Sequence, residues 1–197
     1  MSVRHLRATP RTTITSFSHL PTIVFMSRLR LLALALLSIG FTACLDTTAP
    51  QYATVEGTTF NSALGVDLAN STQTDAGVYY RDITVGTGTP VTAGQEAYMY
   101  YQGYLSTGFE FDSLRPPAVP AVITTGTGTL VPGFEIGLQG MRVGGVRQII
   151  VPPILAYGLT DLRDPDNNLL IPGNSVLVFN VQIVNPDGTT GPTATTP

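Results

Sequence analysis

Apolar residues in this chain come in short runs separated by clusters of Gly, Thr, Pro, Ser and Asp. Val78 to Val85 and Ala97 to Leu105 mix Tyr, Val and Ile, and are bounded by Gly-Thr-Gly-Thr-Pro and Ser-Thr-Gly. Such runs between turn residues predict strands. Phe109 to Phe111, Ala121 to Thr125, Val146 to Val151 and Val176 to Val184 repeat the pattern. A single stretch reads as a helix. Pro132 suits its first position, where a missing N–H costs nothing, and Gly140 suits its stop. Phe134, Ile136 and Leu138 lie between them, so the helix has barely two turns and must lean on something larger to persist. One short helix against an antiparallel sheet of five or six strands is an α+β domain. No internal repeat of useful length interrupts it.

The two ends differ from this middle. Residues 44–76 are mostly Thr, Ala, Ser, Asn and Asp with scattered Phe60, Leu64, Val66 and Leu68, and read as a tether able to dock loosely on the domain. The domain is expected over 77–185. Residues 186–197 carry almost no apolar side chain, and are expected to be disordered because they bury too little to offset their ordering entropy. At the other end, Met26-Ser-Arg-Leu-Arg precedes an almost wholly apolar run from Leu31 to Ala43, followed by Cys44. A basic start, an apolar run of 13 residues and a small residue before the break describe a secretory leader over 26–43. The run is shorter than the about 20 residues needed to span a bilayer. Residues 1–25, rich in Arg, Ser and Thr and free of acids, read as an extension upstream of a true start at Met26.

Phe41-Thr42-Ala43-Cys44 resembles a bacterial lipobox, with Phe41 where Leu is more usual. That resemblance implies a lipid on Cys44 once residues 1–43 are removed. The chain's one Cys has no disulfide partner within it. Leu45 rather than Asp after Cys44 implies sorting to the outer membrane of the cell envelope, facing the periplasm.

Cleavage after Ala43 changes the charge. Arg4, Arg7, Arg11, Arg28 and Arg30 are lost, leaving five arginines against thirteen acidic residues, a net −8 with no Lys. Nucleic acid is excluded as a partner, since its binding leans on cationic contacts to phosphate. Both histidines, His5 and His19, also precede the cleavage point. A Ser-His-Asp triad and a His-containing zinc site are therefore excluded. Asp164-x-Asp166-x-Asn168 begins like a calcium loop, but Leu169 stands where Gly is demanded and Ser175 where a bidentate Glu is. The stretch reads as a solvated acidic loop.

The remaining signature is Leu130-Val-Pro-Gly-Phe-Glu-Ile-Gly-Leu-Gln-Gly-Met-Arg-Val-Gly-Gly, closed by Ala156-Tyr-Gly. Tyr101-x-Gly-Tyr-Leu, Gly108-Phe-Glu-Phe-Asp-Ser, Ile171-Pro and Leu177-Val-Phe-Asn accompany it in order over residues 78–185. Together they resemble the FKBP-type peptidyl-prolyl cis-trans isomerases. The resemblance implies an antiparallel sheet wrapped around the short helix, and an enzyme that rotates Xaa-Pro bonds. It implies pocket roles for Tyr101 and Phe111. Asp112 would be a buried acceptor orienting a hydroxyl or substrate. The N–H of Val131 would hold a substrate carbonyl, and the hydroxyl of Tyr157 would grip substrate backbone. Leu130, Phe134, Ile171 and Phe179 would line the pocket.

Two positions depart from the family pattern: the floor residue is Phe134 rather than Trp, and Ala121 stands where an aromatic often adds a wall. A shallower pocket follows, at about 25 cal/mol lost per Å² of apolar contact. The expected protein is a monomer acting on proline-containing polypeptides, without cofactor or metal, held at a membrane by its lipid. The alternative is a related module that holds proline-containing segments without turning them over.

Overall fold

The computed structural model describes residues 49–191, which lie within one compact unit. Its strands are β1 (Thr72–Gln73), β2 (Tyr79–Thr84), β3 (Glu96–Leu105), β4 (Glu110–Leu114), β5 (Ala121–Thr124), β6 (Val146–Val151), β7 (Leu162–Arg163), β8 (Leu169–Ile171) and β9 (Leu177–Val184); among the described residues one α-helix, α1 (Pro132–Leu138), precedes β6, and three short 3-10 turns accompany it. The main sheet has seven strands in the order β1-β2-β6-β9-β3-β4, and β5 shares the outer edge of β3 with β4. Every pairing is antiparallel. The six expected strands all form. The seventh is the two-residue β1, and a separate β7–β8 hairpin occupies the acidic stretch.

Alternation along the strands sorts side chains onto two faces. Met99, Ile149, Val151, Phe179, Val181 and Ile183 point to the helix side, where they pack with Phe134 and Leu138 into the main core. Their neighbours Tyr79, Ile150 and Val178 point the other way, into a second, smaller core. Pro132 opens α1 and Gly140 turns left-handed with φ +74°, as the composition predicts. Gly133 and Gly137, four residues apart, share the helix face laid on β6. A Cβ at either would overlap Val151 or Ile149.

The helix is fastened at its C-terminal end by Arg147 of β6, which is only 5% exposed. Its Nη1 donates to the carbonyls of Gly137 and Gln139 at 2.9 and 3.0 Å. Nε and Nη2 donate to the two oxygens of Asp82 at 2.7 and 2.9 Å, and the guanidinium lies over the ring of Tyr80. A cation at this end also complements the helix dipole.

Residues 49–76 pack more firmly than a loosely docking tether would. Val55 is 2% exposed and Leu64 is buried against Tyr79, Ile150, Val176 and Val178. Polar ties reinforce the packing: Ala53 N–H donates to Asn174 Oδ1 at 2.8 Å, and Gln148 Nε2 to the Leu64 carbonyl at 2.8 Å. The Tyr79 hydroxyl donates to Glu56 at 2.5 Å. The reason is geometric: the sheet's outer face is apolar at Ile150 and Val178, and this segment covers it. The expected disordered tail is corrected in part as well. Residues 186–191 form a turn in which Asn185 N–H donates to the Thr189 carbonyl and Asn185 Nδ2 to that of Gly191. The expected leader over 26–43, Cys44 with its expected lipid, and residues 192–197 lie outside the described residues.

Candidate active site

Gly103, in the middle of β3, sits in register with Asp112 on one side and Phe179 on the other. A Cβ there would stand 2.7 Å from the Phe111 ring and 3.1 Å from that of Phe179. Only glycine lets the two rings converge over this strand. Phe179 then meets Phe111 edge-on, with centroids 5.8 Å apart, and Phe134 of α1 at 4.7 Å. Such tilted and T-shaped pairs are favoured by the ring quadrupoles.

These three rings are part of the wall of a cleft of about 530 Å³ between the sheet and the start of α1. Tyr101, Asp112, Ala121, Leu130, Val131 and Tyr157 complete most of the predicted lining. Phe134 and Phe179 are nearly buried and form its floor, whereas Tyr157 stands at the rim, 36% exposed. Two predictions need correction. Ile171 does not line the cleft; it is 2% exposed and packed in the main core, because β8 turns it inward beneath the surface. Asp112 is exposed rather than buried, since it lies on the edge strand β4 with its side chain at the cleft mouth. It does orient a hydroxyl: Tyr101 Oη donates to Asp112 Oδ2 at 2.8 Å.

The electrostatics follow from that pair. Burial, the hydrogen bond to Asp112 and its negative charge push the Tyr101 phenol up to about 12. Burial, with Asp112 nearby, raises Tyr157 as well. Both phenols stay protonated, and hence able to donate, throughout the neutral range. Val131 is the N-cap of α1: its carbonyl accepts from Phe134 and Glu135, while no acceptor among the described residues takes its N–H. A peptide carbonyl entering the cleft would find that donor at the helix start.

Sequence reasoning missed Gly103, Met99, Ile123, Thr129 and Ala156 among the residues that shape the cleft. Glycine inside a strand was a usable signal for Gly103, because it marks close approach by another group. Ala156 opens the Ala-Tyr-Gly motif without being given a place in the cleft, and Met99, Ile123 and Thr129 carry no local signature. The arrangement as a whole offers an apolar, aromatic floor with a few hydrogen-bond donors at its margin. Such a surface can seat and orient an amide, and its described lining holds no base or nucleophile pair.

Comparison with known proteins agrees with this geometry. Residues 88–184 match the family model described as FKBP-type peptidyl-prolyl cis-trans isomerase. The "FK506-binding protein 3" of Yarrowia lipolytica is 40% identical over 113 residues, which are 57% of this chain and 26% of that protein. "Peptidyl-prolyl cis-trans isomerase FKBP20-2, chloroplastic" of Arabidopsis thaliana is 44% identical over 86 residues, 44% of this chain and 36% of that one. Among solved structures, the crystal structure of AtFKBP13 superposes with a TM-score of 0.53 at 30% sequence identity, covering 58% of this chain and 97% of that one. The chain thus spans well under half the length of the curated relatives it matches.

Proposed function

Because this chain belongs to the FKBP-type peptidyl-prolyl cis-trans isomerase family, we propose that it speeds rotation about Xaa-Pro bonds in exported polypeptides while anchored to the cell envelope. The observation that carries the catalytic reading is the convergence of Phe111, Phe134 and Phe179 beneath Tyr101 and Tyr157 in one cleft. Rotation needs neither proton relay nor nucleophile. The barrier, about 18–20 kcal/mol for an ordinary amide, is the loss of conjugation at the twisted geometry. A twisted amide is less polar than a planar one, so an apolar floor favours it. The prolyl ring rests on the three phenylalanines, the Val131 N–H takes a substrate carbonyl, and Tyr157 donates to the flanking backbone. Lowering the barrier by about 4 kcal/mol gives roughly a thousandfold. Uncatalysed, the step takes tens to hundreds of seconds and limits folding.

Anchoring rests on the leader pattern and Cys44, with Leu45 favouring the outer membrane over the inner. One acyl chain binds a bilayer only marginally, so more than one is expected on Cys44. The enzyme then meets clients where no nucleotide is required.

The test of the activity is cis-to-trans relaxation of a short Xaa-Pro peptide, followed by NMR exchange with protein starting at residue 45. Acceleration that vanishes in Phe179→Ala supports the reading; folded protein without acceleration makes this a holding module instead. For the anchor, Cys44→Ser should move the protein from the membrane to the soluble fraction. Retention in the membrane would remove the lipid from the account.

A further inference from the structure

Among the described residues that line the cleft, Asp112 is the single charged side chain, and it is exposed at the mouth. Its Oδ2 accepts from Tyr101, while Oδ1 takes no hydrogen bond from the described residues. No cation neutralises it either. The ion pairs of the described residues join Arg81 to Asp67, Arg115 to Glu110, Arg147 to Asp82 and Arg163 to Asp161. Arg142 donates to the Gly88 carbonyl, and the chain has no Lys. Arg115, only three residues from Asp112, is held instead by Glu110, Ser113 and the hydroxyl of Tyr104, whose ring packs in the second core.

The ground next to Tyr157 has the same sign. Thr160 N–H donates to the Tyr157 carbonyl and Asn174 N–H to that of Gly158, so the rim tyrosine leads directly into the β7–β8 hairpin. That segment carries Asp161, Asp164 and Asp166 against Arg163 alone. Burial first, and then the charge of Asp112, raise the Tyr157 phenol, so the carboxylate is felt at this rim as well as at Tyr101. An incoming peptide therefore meets an apolar floor below and an uncompensated negative charge at the entrance.

We propose that the cleft selects prolines flanked by a lysine or arginine, whose cationic head is received by Asp112 while the prolyl ring rests on the phenylalanines. This preference rests on the isomerase reading of the same cleft and adds the class of client segment it favours. The chemistry of the two partners fits. Lys and Arg lay their methylene stems along apolar surface and keep the charged head in water, which is what a carboxylate at the mouth of an apolar cleft requires. An N–H donated from a cation to a carboxylate is stronger than a neutral hydrogen bond. Asp112 stays in water, so the pair forms without the desolvation that burial of both charges would cost. A Glu or Asp beside the proline meets repulsion, with no cation in the described lining to offset it.

The experiment measures kcat/KM of the full chain by NMR exchange on capped peptides Ala-Xaa-Pro-Phe-Ala and Ala-Phe-Pro-Xaa-Ala, with Lys, Gln or Glu as Xaa. In at least one series, at low salt, Lys is expected to exceed Gln about threefold and Glu about tenfold, the size of a single solvated charge contact. About 0.5 M salt should bring the Lys-to-Glu ratio to within about twofold, because the pair is exposed and screened. Asp112→Asn should slow all the peptides and also collapse the low-salt ratio. Tyr101→Phe should slow them with the ratio kept, which separates the charge from the positioning of the phenol. Should Asp112→Asn fail to fold, the salt dependence of the wild-type ratio decides. Good turnover of the Gln peptides with a Lys-to-Glu ratio near one in both series would overturn the preference and leave the isomerase standing. A ratio unchanged in folded Asp112→Asn would overturn it as well. No turnover of any peptide would remove the isomerase reading itself, and this preference with it.

Discussion

The phenol of Tyr101 donates to Asp112 across the β3–β4 pair at 2.8 Å, with the ring in the cleft wall and the carboxylate at its mouth. The bond fixes the orientation of a group that otherwise rotates freely against an apolar floor. A hydrogen bond to a charged group contributes about 1.5–3 kcal/mol when intact. Tyr101→Phe is therefore expected to lower kcat/KM about tenfold, through binding and orientation. Asp112→Asn, which keeps an acceptor in place, should cost less. Peptide relaxation rates for the two variants check the order; a larger loss in Asp112→Asn would contradict it.

Activity should not vary with pH between about 6 and 9. No step of the proposed rotation moves a proton, and both cleft phenols are held above their ordinary range. A bell-shaped profile in that window would mean that an acid or base takes part.

Stability, by contrast, should respond to alkali in a defined direction. The folded state raises Tyr101 from 10 to about 12, so it binds that proton more tightly than the unfolded chain. The contribution is complete below pH 10 and is lost as pH rises through about 12. The difference in urea stability between wild type and Tyr101→Phe should be constant below pH 9 and shrink above 10. A difference that grew with pH would reverse the sign of the argument.

Placing a methyl group at Gly103 tests whether the cleft depends on close ring approach. The new Cβ at 2.7 Å from Phe111 must displace that ring or bend β3. Overpacking of this kind costs about 1–3 kcal/mol. Gly103→Ala should lower the melting temperature by several degrees and activity by more than tenfold, with KM rising. Unchanged KM would show that the rings retain their places by another route.

How much of this was legible depends on how local the determinant is. The strand Val146–Val151 and the helix Pro132–Leu138 were readable because their signals lie within the element: a bounded apolar run, a Pro start and a Gly stop. Phe111, Phe134 and Phe179 were placed in one pocket by resemblance, since nothing in their spacing says that three elements converge. The β7–β8 hairpin was missed because side-chain bonds of Asp164 to Asn168, and Asn167 at positive φ, set it without hydrophobic alternation. Ile171 was misplaced for a related reason. Its motif fixes its position along the chain, while burial is decided by which way the hairpin folds.

Arg147 supplies a prediction about the helix that carries Phe134. It is buried, and it answers two helix carbonyls and both oxygens of Asp82. Breaking such a pair by removing one partner costs about 3–5 kcal/mol when both charges are buried. Asp82 keeps a third of its side chain in water, so about 2–3 kcal/mol is expected for Arg147→Met. Denaturant unfolding should show the loss together with weaker amide protection at Gly137 and Gln139. Full protection there would mean that α1 does not need this cap.

The last prediction concerns the segment before β1, where composition suggested a tether. Val55, Phe60 and Leu64 are scattered among Glu, Gly, Thr, Asn and Ser, too sparsely to mark a strand or helix that would bury them. Their burial is set by what they meet, namely Ile150 and Val178 on the back of the two strands whose other faces hold Ile149 and Phe179. Segment and cleft therefore pack against opposite sides of β6 and β9. Val55→Asp would place a carboxylate in that second core with no cation beside it, and should destabilise the domain by about 3 kcal/mol or more. A surface tether would lose nothing. Activity per folded molecule should persist at low temperature, because no cleft residue touches Val55. Equal stability of Val55→Asp and wild type in urea would return residues 49–76 to the role of a loose tether.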